Sequence, residues 1–294
     1  MLKVLLNGRL GNNMFQIAAG ASLAKKHNVP VCFYAGDHVT PDKTSLLDFL
    51  EQFRSTILRN VTIEPGIPEC AEVVKEQQFA YTPIPFVDNS RIEGFFQSEK
   101  YFDTDEVKRI FEIDSESRDY ILSKYGDLLK EDITAIHVRR GDYFAELDNH
   151  PITSLSYFRK AIRHIGKKSR FLIFSNDIAW CKEKFKGSNF FFAENENATI
   201  DLYLQSMCTN NIISNSSYSW WAAWLNNNPN KIVICPNPWF GVAKRHYNTS
   251  DLIPDGWIQL TNRMPLKYEF LGRYFWYRRR FKYFMKTKFN IVIK

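Results

Sequence analysis

Ile133-Thr134-Ala135-Ile136-His137-Val138-Arg139-Arg140-Gly141-Asp142-Tyr143 runs from a largely apolar stretch straight into a cationic turn. The stretch is short, rich in β-branched residues and stopped by Gly-Asp, which predicts a buried strand ending at a sheet edge. Outward from it, strand-like and helical segments alternate. On the N-terminal side, strand-like Leu2–Leu6 precedes helical Met14–Lys26, where Ile17, Ala21 and Ala24 share one face, and Val31–Tyr34 reads as a strand. On the C-terminal side the order is helical Leu155–Ile165, strand Arg170–Ser175, helical Ile178–Phe185, the apolar run Asn189–Ala193 and helical Ile200–Cys208. Strand Ile212–Ser214, helix Ser219–Asn227 and strand Lys231–Cys235 follow. Residues 38–90 carry Pro41, Pro65, Pro68, Pro83 and Pro85, which break any long element there. The alternation predicts an α/β fold of two layers joined near residues 125–132. The expected domains are 1–130, 131–265 and a C-terminal tail, 266–294.

At 294 residues and 45% hydrophobic content, the chain can bury two ordinary cores, and a disordered protein is excluded. No apolar run approaches the roughly 18 residues a spanning helix needs. The opening Met1–Leu6 is too short for a signal-peptide core, so the N-terminus reads as a first strand. Five cysteines, scattered and without a C-x-x-C pair, read as buried thiols rather than a disulfide or zinc framework. A cytoplasmic location is therefore expected, with peripheral attachment to the inner face of the membrane if the tail binds there.

Three polar turns each follow a strand-like segment, and open α/β sheets bind ligands beyond the carboxyl ends of their strands. Gly8-Arg9-Leu10-Gly11-Asn12-Asn13 leads into a helix whose N–H groups can meet an anion, although a plain strand–helix turn explains it equally well. In the second turn, Arg139 and Arg140 are adjacent and point to opposite faces. One can fork onto a diphosphate while the other is tied to Asp142 or another carboxylate; a solvated pair bridged to Asp142 is the alternative. In the third, Asn215-Ser216-Ser217 meets a helix N-terminus suited to phosphate, or simply caps that helix. Trp220, Trp221 and Trp224 read as core. Ser175 and Asp177, in a fourth turn, can touch a donor ribose, or Asp177 can cap the next helix. No D-x-D pair or histidine cluster offers a metal site, so neither a metal nor another cofactor is expected.

These motifs together resemble a known family. Gly8–Gln16, His137–Tyr143, Phe174–Asp177 and Ile213–Asn226 are similar to the corresponding segments of the α-1,2-fucosyltransferases, in the same order over about residues 1–240. The resemblance implies a GT-B arrangement of two Rossmann-like domains across a cleft, and inverting, metal-independent transfer of L-fucose from GDP-β-L-fucose to O2 of a galactoside. It places Arg139 at the β-phosphate with Arg140 in support, and His137 and Asp201 at guanine. Ser216 and Ser217 would line the phosphates beside Asn215. Gly11, Asn12, Asn13, Gln16 and His150 would form the acceptor side. By position beside the cationic turn, Asp142, Glu146 and His150 are candidates for the general base, and Asp142 ranks first, although an arginine-paired carboxylate is a poor one. The implied partners are a GDP-sugar and a galactose-terminated glycan. The first turn departs from the family's common Gly-Gly-Leu-Gly-Asn-Gln by carrying Arg9 and Asn13, and Thr209-Asn210 stands where a His is common.

The charge is concentrated in the tail. Of the net +7, residues 267–294 supply +8, from nine Lys/Arg and one acid, leaving the body at −1. Arg273–Lys286 mixes large aromatics with cations, a composition suited to an interfacial helix on anionic lipid. A helix docked on the body with solvated arginines is the other reading. The near-neutral body offers no basic track for nucleic acid, and none is expected as a partner.

Overall fold

The computed structural model describes residues 1–40 and 43–289, so Pro41 and the end of the tail, 290–294, lie outside the described residues. The first unit opens with β1 (Leu2–Leu5), α1 (Leu10–His27), β2 (Val31–Tyr34) and α2 (Leu46–Glu51). The short strands β3 (Ile63–Glu64), β4 (Glu72–Lys75) and β5 (Ser90–Glu93) follow. They form a wholly parallel sheet in the order β3-β2-β1-β5-β4. Two connecting helices come next, α3 (Thr104–Ile110) and α4 (Ser115–Leu129).

The second unit runs β6 (Ile133–Val138), α5 (Leu155–Ile165), β7 (Arg170–Ser175), α6 (Ile178–Lys184) and β8 (Phe190–Phe192). It continues with α7 (Ala198–Met207), β9 (Asn210–Ile212), α8 (Ser217–Trp224), β10 (Val233–Asn237) and β11 (Ile258–Thr261). Its sheet is also parallel, ordered β11-β10-β9-β6-β7-β8. Counted within the unit, this is the 3-2-1-4-5-6 order of a doubly wound nucleotide-binding sheet. Every residue of β6 is buried, as a central strand covered by helices on both faces must be.

The second sheet reverses its winding once, between β6 and β9, where the chain returns from the β8 edge to add β9, β10 and β11 on the other side of β6. The cationic turn therefore leaves the second sheet at its switch point, where such folds open a crevice. The two units share one apolar core: Leu2, Val4 and Phe15 belong to the same buried cluster as Trp220 and Trp221. Phe15 packs on both tryptophans, with ring centroids 4.5 and 4.8 Å apart. Ile136, Val138, Tyr157 and Ile173 form a second cluster, including residues of α5 and α6. This is the GT-B-like arrangement of two Rossmann-like units.

α4 packs on α7, and Lys124, Tyr120 and Tyr125 converge on Glu196 just ahead of that helix.

A last helix, α9 (Leu266–Phe289), lies over the loop after β6. Gly272 sits against the Leu147 backbone, Tyr268 edges onto Phe144, and Arg279 pairs with Glu146 and Asp148 at 3.1 Å each. Among the described residues no helix is long and apolar enough to cross a membrane.

Candidate active site

Helices α2 to α7 each begin with a Ser, Asp or Asn side chain that accepts a hydrogen bond from a first-turn N–H. Helices α1 and α8 do not: their N-cap residues, Arg9 and Ser216, make no side-chain cap. These two uncapped N-termini meet. A Cβ on Gly11 would lie 2.5 Å from the Tyr218 backbone nitrogen, so only glycine permits the approach. Trp221 Nε1 donates to the Gly11 carbonyl at 2.9 Å, and Asn12 Oδ1 accepts from Ser217 Oγ at 2.8 Å and Gln97 Nε2 at 2.9 Å. Gln97 follows β5, so the turns after β1, β5 and β9 share one network. Free N–H groups and two convergent helix dipoles make this junction electropositive.

The cationic turn lies against the same junction. Arg139 donates to Asp142 Oδ2 at 2.7 Å, and Arg9 from the first unit stands 3.9 Å from the same oxygen. Asn176 donates to Asp142 Oδ1 at 3.3 Å. Burial pushes the Asp142 carboxyl up, but Arg139 and Arg9 outweigh it and hold it below the usual carboxylate range. The Tyr143 hydroxyl donates to the Asn215 carbonyl at 2.9 Å, tying the turn to the loop after β9. His150 stacks on the Tyr143 ring at 5.0 Å, and its buried Nδ1 has no partner among the described residues.

A second recess lies toward α7. His137 Nδ1 is 2.9 Å from Ser214 Oγ, and burial together with the Arg139 charge lowers its pKa to about 3, so the imidazole is neutral. The Tyr218 ring packs 5.7 Å from His137, and its hydroxyl reaches the Ala198 carbonyl at the start of α7. Asp201, in the first turn of that helix, has a buried Oδ1 with no hydrogen-bond partner. Burial, and secondarily the Glu196 charge, raise its pKa to about 7. Tyr218 thus links His137 and Asp201, its ring near the imidazole and its hydroxyl raised in pKa by burial and in part by the Asp201 charge, and a buried Asp201 Oδ1 without a partner suits a ligand that presents N–H donors.

The model for glycosyl transferase family 11 matches residues 1–260. The chain belongs to that family. It is 28% identical to the alpha-1,2-colitosyltransferase of Escherichia coli, over 87% of this chain and 97% of the relative. It is also 28% identical to the O-antigen biosynthesis glycosyltransferase WbnK of Escherichia coli, over 87% and 99%. Human galactoside alpha-(1,2)-fucosyltransferase 1 is 25% identical over 74% of this chain and 64% of its own length. Among solved structures, fucosyltransferase NodZ from Bradyrhizobium aligns with a TM-score of 0.48 at 13% identity, covering 75% of this chain and 92% of that one.

Within this family-11 site, several residues expected at the ligand are committed elsewhere. Arg140 turns away from the cleft: its Nε donates to Asp177 at 3.1 Å and its guanidinium stacks 3.9 Å from the Trp180 ring centroid. Asp177 is thereby occupied by Arg140, and its other oxygen caps α6. Ser175 Oγ bridges the Val138 carbonyl and the Asp177 N–H inside the turn. Asn215 is buried, donating to the Trp239 carbonyl and accepting from Thr153. Gln16 joins the Asn7 N–H to the Gly94 carbonyl, and Asn13 donates to Asn7, so both brace the turns after β1 and β5. Gly11 and Asn12 lie at the junction itself. Gln97 and Tyr218 carry no sequence signal of their own for the site, and Arg9 reads in the sequence only as a departure from the family's first turn; Arg9 finds its partner in the other unit, Gln97 in Asn12 and Tyr218 in α7. Among the described residues no group of three His, Cys, Asp or Glu side chains could hold a metal.

Proposed function

We propose that this glycosyltransferase moves L-fucose from GDP-β-L-fucose to the 2-hydroxyl of a galactoside with inversion, in the assembly of a surface glycan. The observation that carries the donor half is the meeting of the two uncapped helix N-termini beside Arg139 and Arg9. Such a junction suits a diphosphate held without a metal, with helix ends and guanidinium groups supplying the positive charge. Asp201 and His137 would take the guanine edge, the charged carboxylate accepting from N1–H and the 2-amino group.

In this reading the acceptor oxygen attacks the anomeric carbon as the bond to the β-phosphate oxygen breaks. Negative charge grows on that phosphate, and a pre-placed Arg139 stabilises it more in the transition state than in the ground state. Asp142 holds the Arg139 fork in position. Its lowered pKa makes it a weak base, adequate only after oxocarbenium character has made the attacking hydroxyl acidic.

The full-length likeness to a colitosyltransferase favours a second reading, with a GDP-linked deoxy analogue of fucose as donor. Product analysis tests both: the protein is incubated with GDP-fucose, GDP-colitose or GDP-mannose and a panel of β-galactosides, in parallel with EDTA and with added Mg²⁺. An α-1,2-fucosylated product is expected. GDP-colitose used far better than GDP-fucose would favour the second reading, and transfer that requires added metal would refute the metal-free site.

A further inference from the structure

The transfer chemistry uses only what lies on the inner side of α9. Tyr268, Gly272 and Arg279 face the body there. The outer side carries Leu266, Phe270, Tyr274, Tyr277, Phe281 and Phe284, spaced 4, 4, 3, 4 and 3 residues apart. At 3.6 residues per turn these six fall within an arc of about 80°, a continuous stripe along the whole helix. All are between 48% and 71% exposed. Buried apolar residues would hold the helix to the protein, but here most of the large side chains point away from it.

Cations flank the stripe. Arg273 and Arg280 lie along one edge, and Lys267 and Arg278 along the other, all exposed. The helix's one acid, Glu269, is already paired with Arg273 at 3.1 Å. We propose that this face docks on an anionic lipid bilayer, with the aromatic stripe at the acyl–headgroup boundary and the flanking cations against the phosphates. Two copies meeting stripe to stripe would bring the cationic edges together with no acidic edge to balance them. Anionic headgroups supply that balance. Arg279, pointing inward, clamps α9 to the Ala145–Asp148 loop, so a docked helix fixes the second unit's orientation to the surface.

The test is co-sedimentation of the full-length protein with phosphatidylcholine vesicles, with and without one-third phosphatidylglycerol. Binding to the anionic vesicles alone, weakening as salt is raised, is expected. Phe270→Ser, Phe281→Ser and Phe284→Ser combined should abolish pelleting. Arg273→Gln, Arg278→Gln and Arg280→Gln combined should lower the partition coefficient about a hundredfold, at about fivefold per cation. All these side chains are exposed and outside the cleft, so both variants should keep the wild-type far-UV circular dichroism and rate of transfer to a soluble acceptor. Equal pelleting with neutral vesicles, no pelleting at all, or pelleting unaffected by either variant would overturn the proposal. So would a wild-type dimer in sedimentation equilibrium that the Ser variant converts to monomer, or salt-dependent RNA binding without vesicle binding.

Discussion

Asp201→Asn should make the empty protein more stable and the donor-bound protein weaker. In an unfolded chain an aspartate titrates near ~3.9, whereas burial holds the native Asp201 carboxyl at about 7. Between those values the native state keeps a proton that the unfolded state has lost. Stability therefore falls as pH rises across this window, and the loss is complete above the native pKa. A gap of about three pKa units corresponds to roughly 4 kcal/mol at most. Asparagine has nearly the same shape and no charge, so it removes that cost. By differential scanning calorimetry of the unliganded protein, the variant should match wild type near pH 4. It should exceed wild type progressively up to pH 8, by several degrees in Tm. Binding should move the other way. A guanine edge donating two hydrogen bonds to a charged carboxylate loses both charge assistance and an acceptor when Asp becomes Asn, at about 1.5–3 kcal/mol per bond. Isothermal titration with GDP at pH 8 should then show affinity lowered by about a hundredfold or more. Wild-type affinity should itself fall as pH drops below 7, with that dependence absent from the variant. A variant that is no more stable at pH 8, or that binds GDP as tightly as wild type, would refute the assignment of Asp201 as an unpaired carboxylate awaiting a base.

Arg139→Lys should lower kcat by about 10²–10³-fold, the scale of one pre-placed transition-state donor, because an ammonium cannot reproduce the fork; steady-state kinetics on folded protein with near-normal kcat would remove Arg139 from the mechanism. Arg140→Lys should instead lower Tm, since it loses the Asp177 bond and the Trp180 stack, while leaving the donor KM within a few-fold of wild type; a large KM change at unaltered Tm would place it in the cleft after all. Gly11→Ala introduces a carbon 2.5 Å from the Tyr218 nitrogen and 2.6 Å from the Ser217 carbonyl carbon, both backbone, so the two helix ends must separate. A cost of about 1–3 kcal/mol is expected, with loss of transfer exceeding the loss of stability; unchanged Tm and rate would show that the junction is slack.

Much of the scaffold is legible because its signals are local. The apolar run Ile133–Val138, the Arg170–Ser175 strand and the helical spacing of Leu155–Ile165 match the observed β6, β7 and α5 in both limits. Period and length suffice there, since each segment buries one continuous face. Within 38–90 the same approach stops. β3, β4 and β5 are two to four residues long, and they are strands because β2 offers β3 a partner, β1 offers one to β5, and β5 in turn to β4. β11, beyond the last strand expected at Lys231–Cys235, exists by pairing with β10.

The site divides along the same line. That Arg139 and Arg140 face opposite ways follows from strand geometry in the sequence alone. Which of them faces the cleft was decided by Trp180 and Asp177, contributed by the next strand–helix turn. Ser-Ser and Gly-Arg-Leu-Gly each announce a helix start, yet neither announces that the two starts touch. Capping preferences act over three or four residues, whereas the Gly11–Tyr218 contact joins residues 207 positions apart. The tail's aromatic and basic composition was plain from the sequence. Its two-sidedness, with Arg279 locked inward and the stripe left bare, appears only once the helix has a body to lie against. Asp201 is the sharpest case: the family resemblance already places it at guanine, but only the packing around it leaves its Oδ1 buried without a partner.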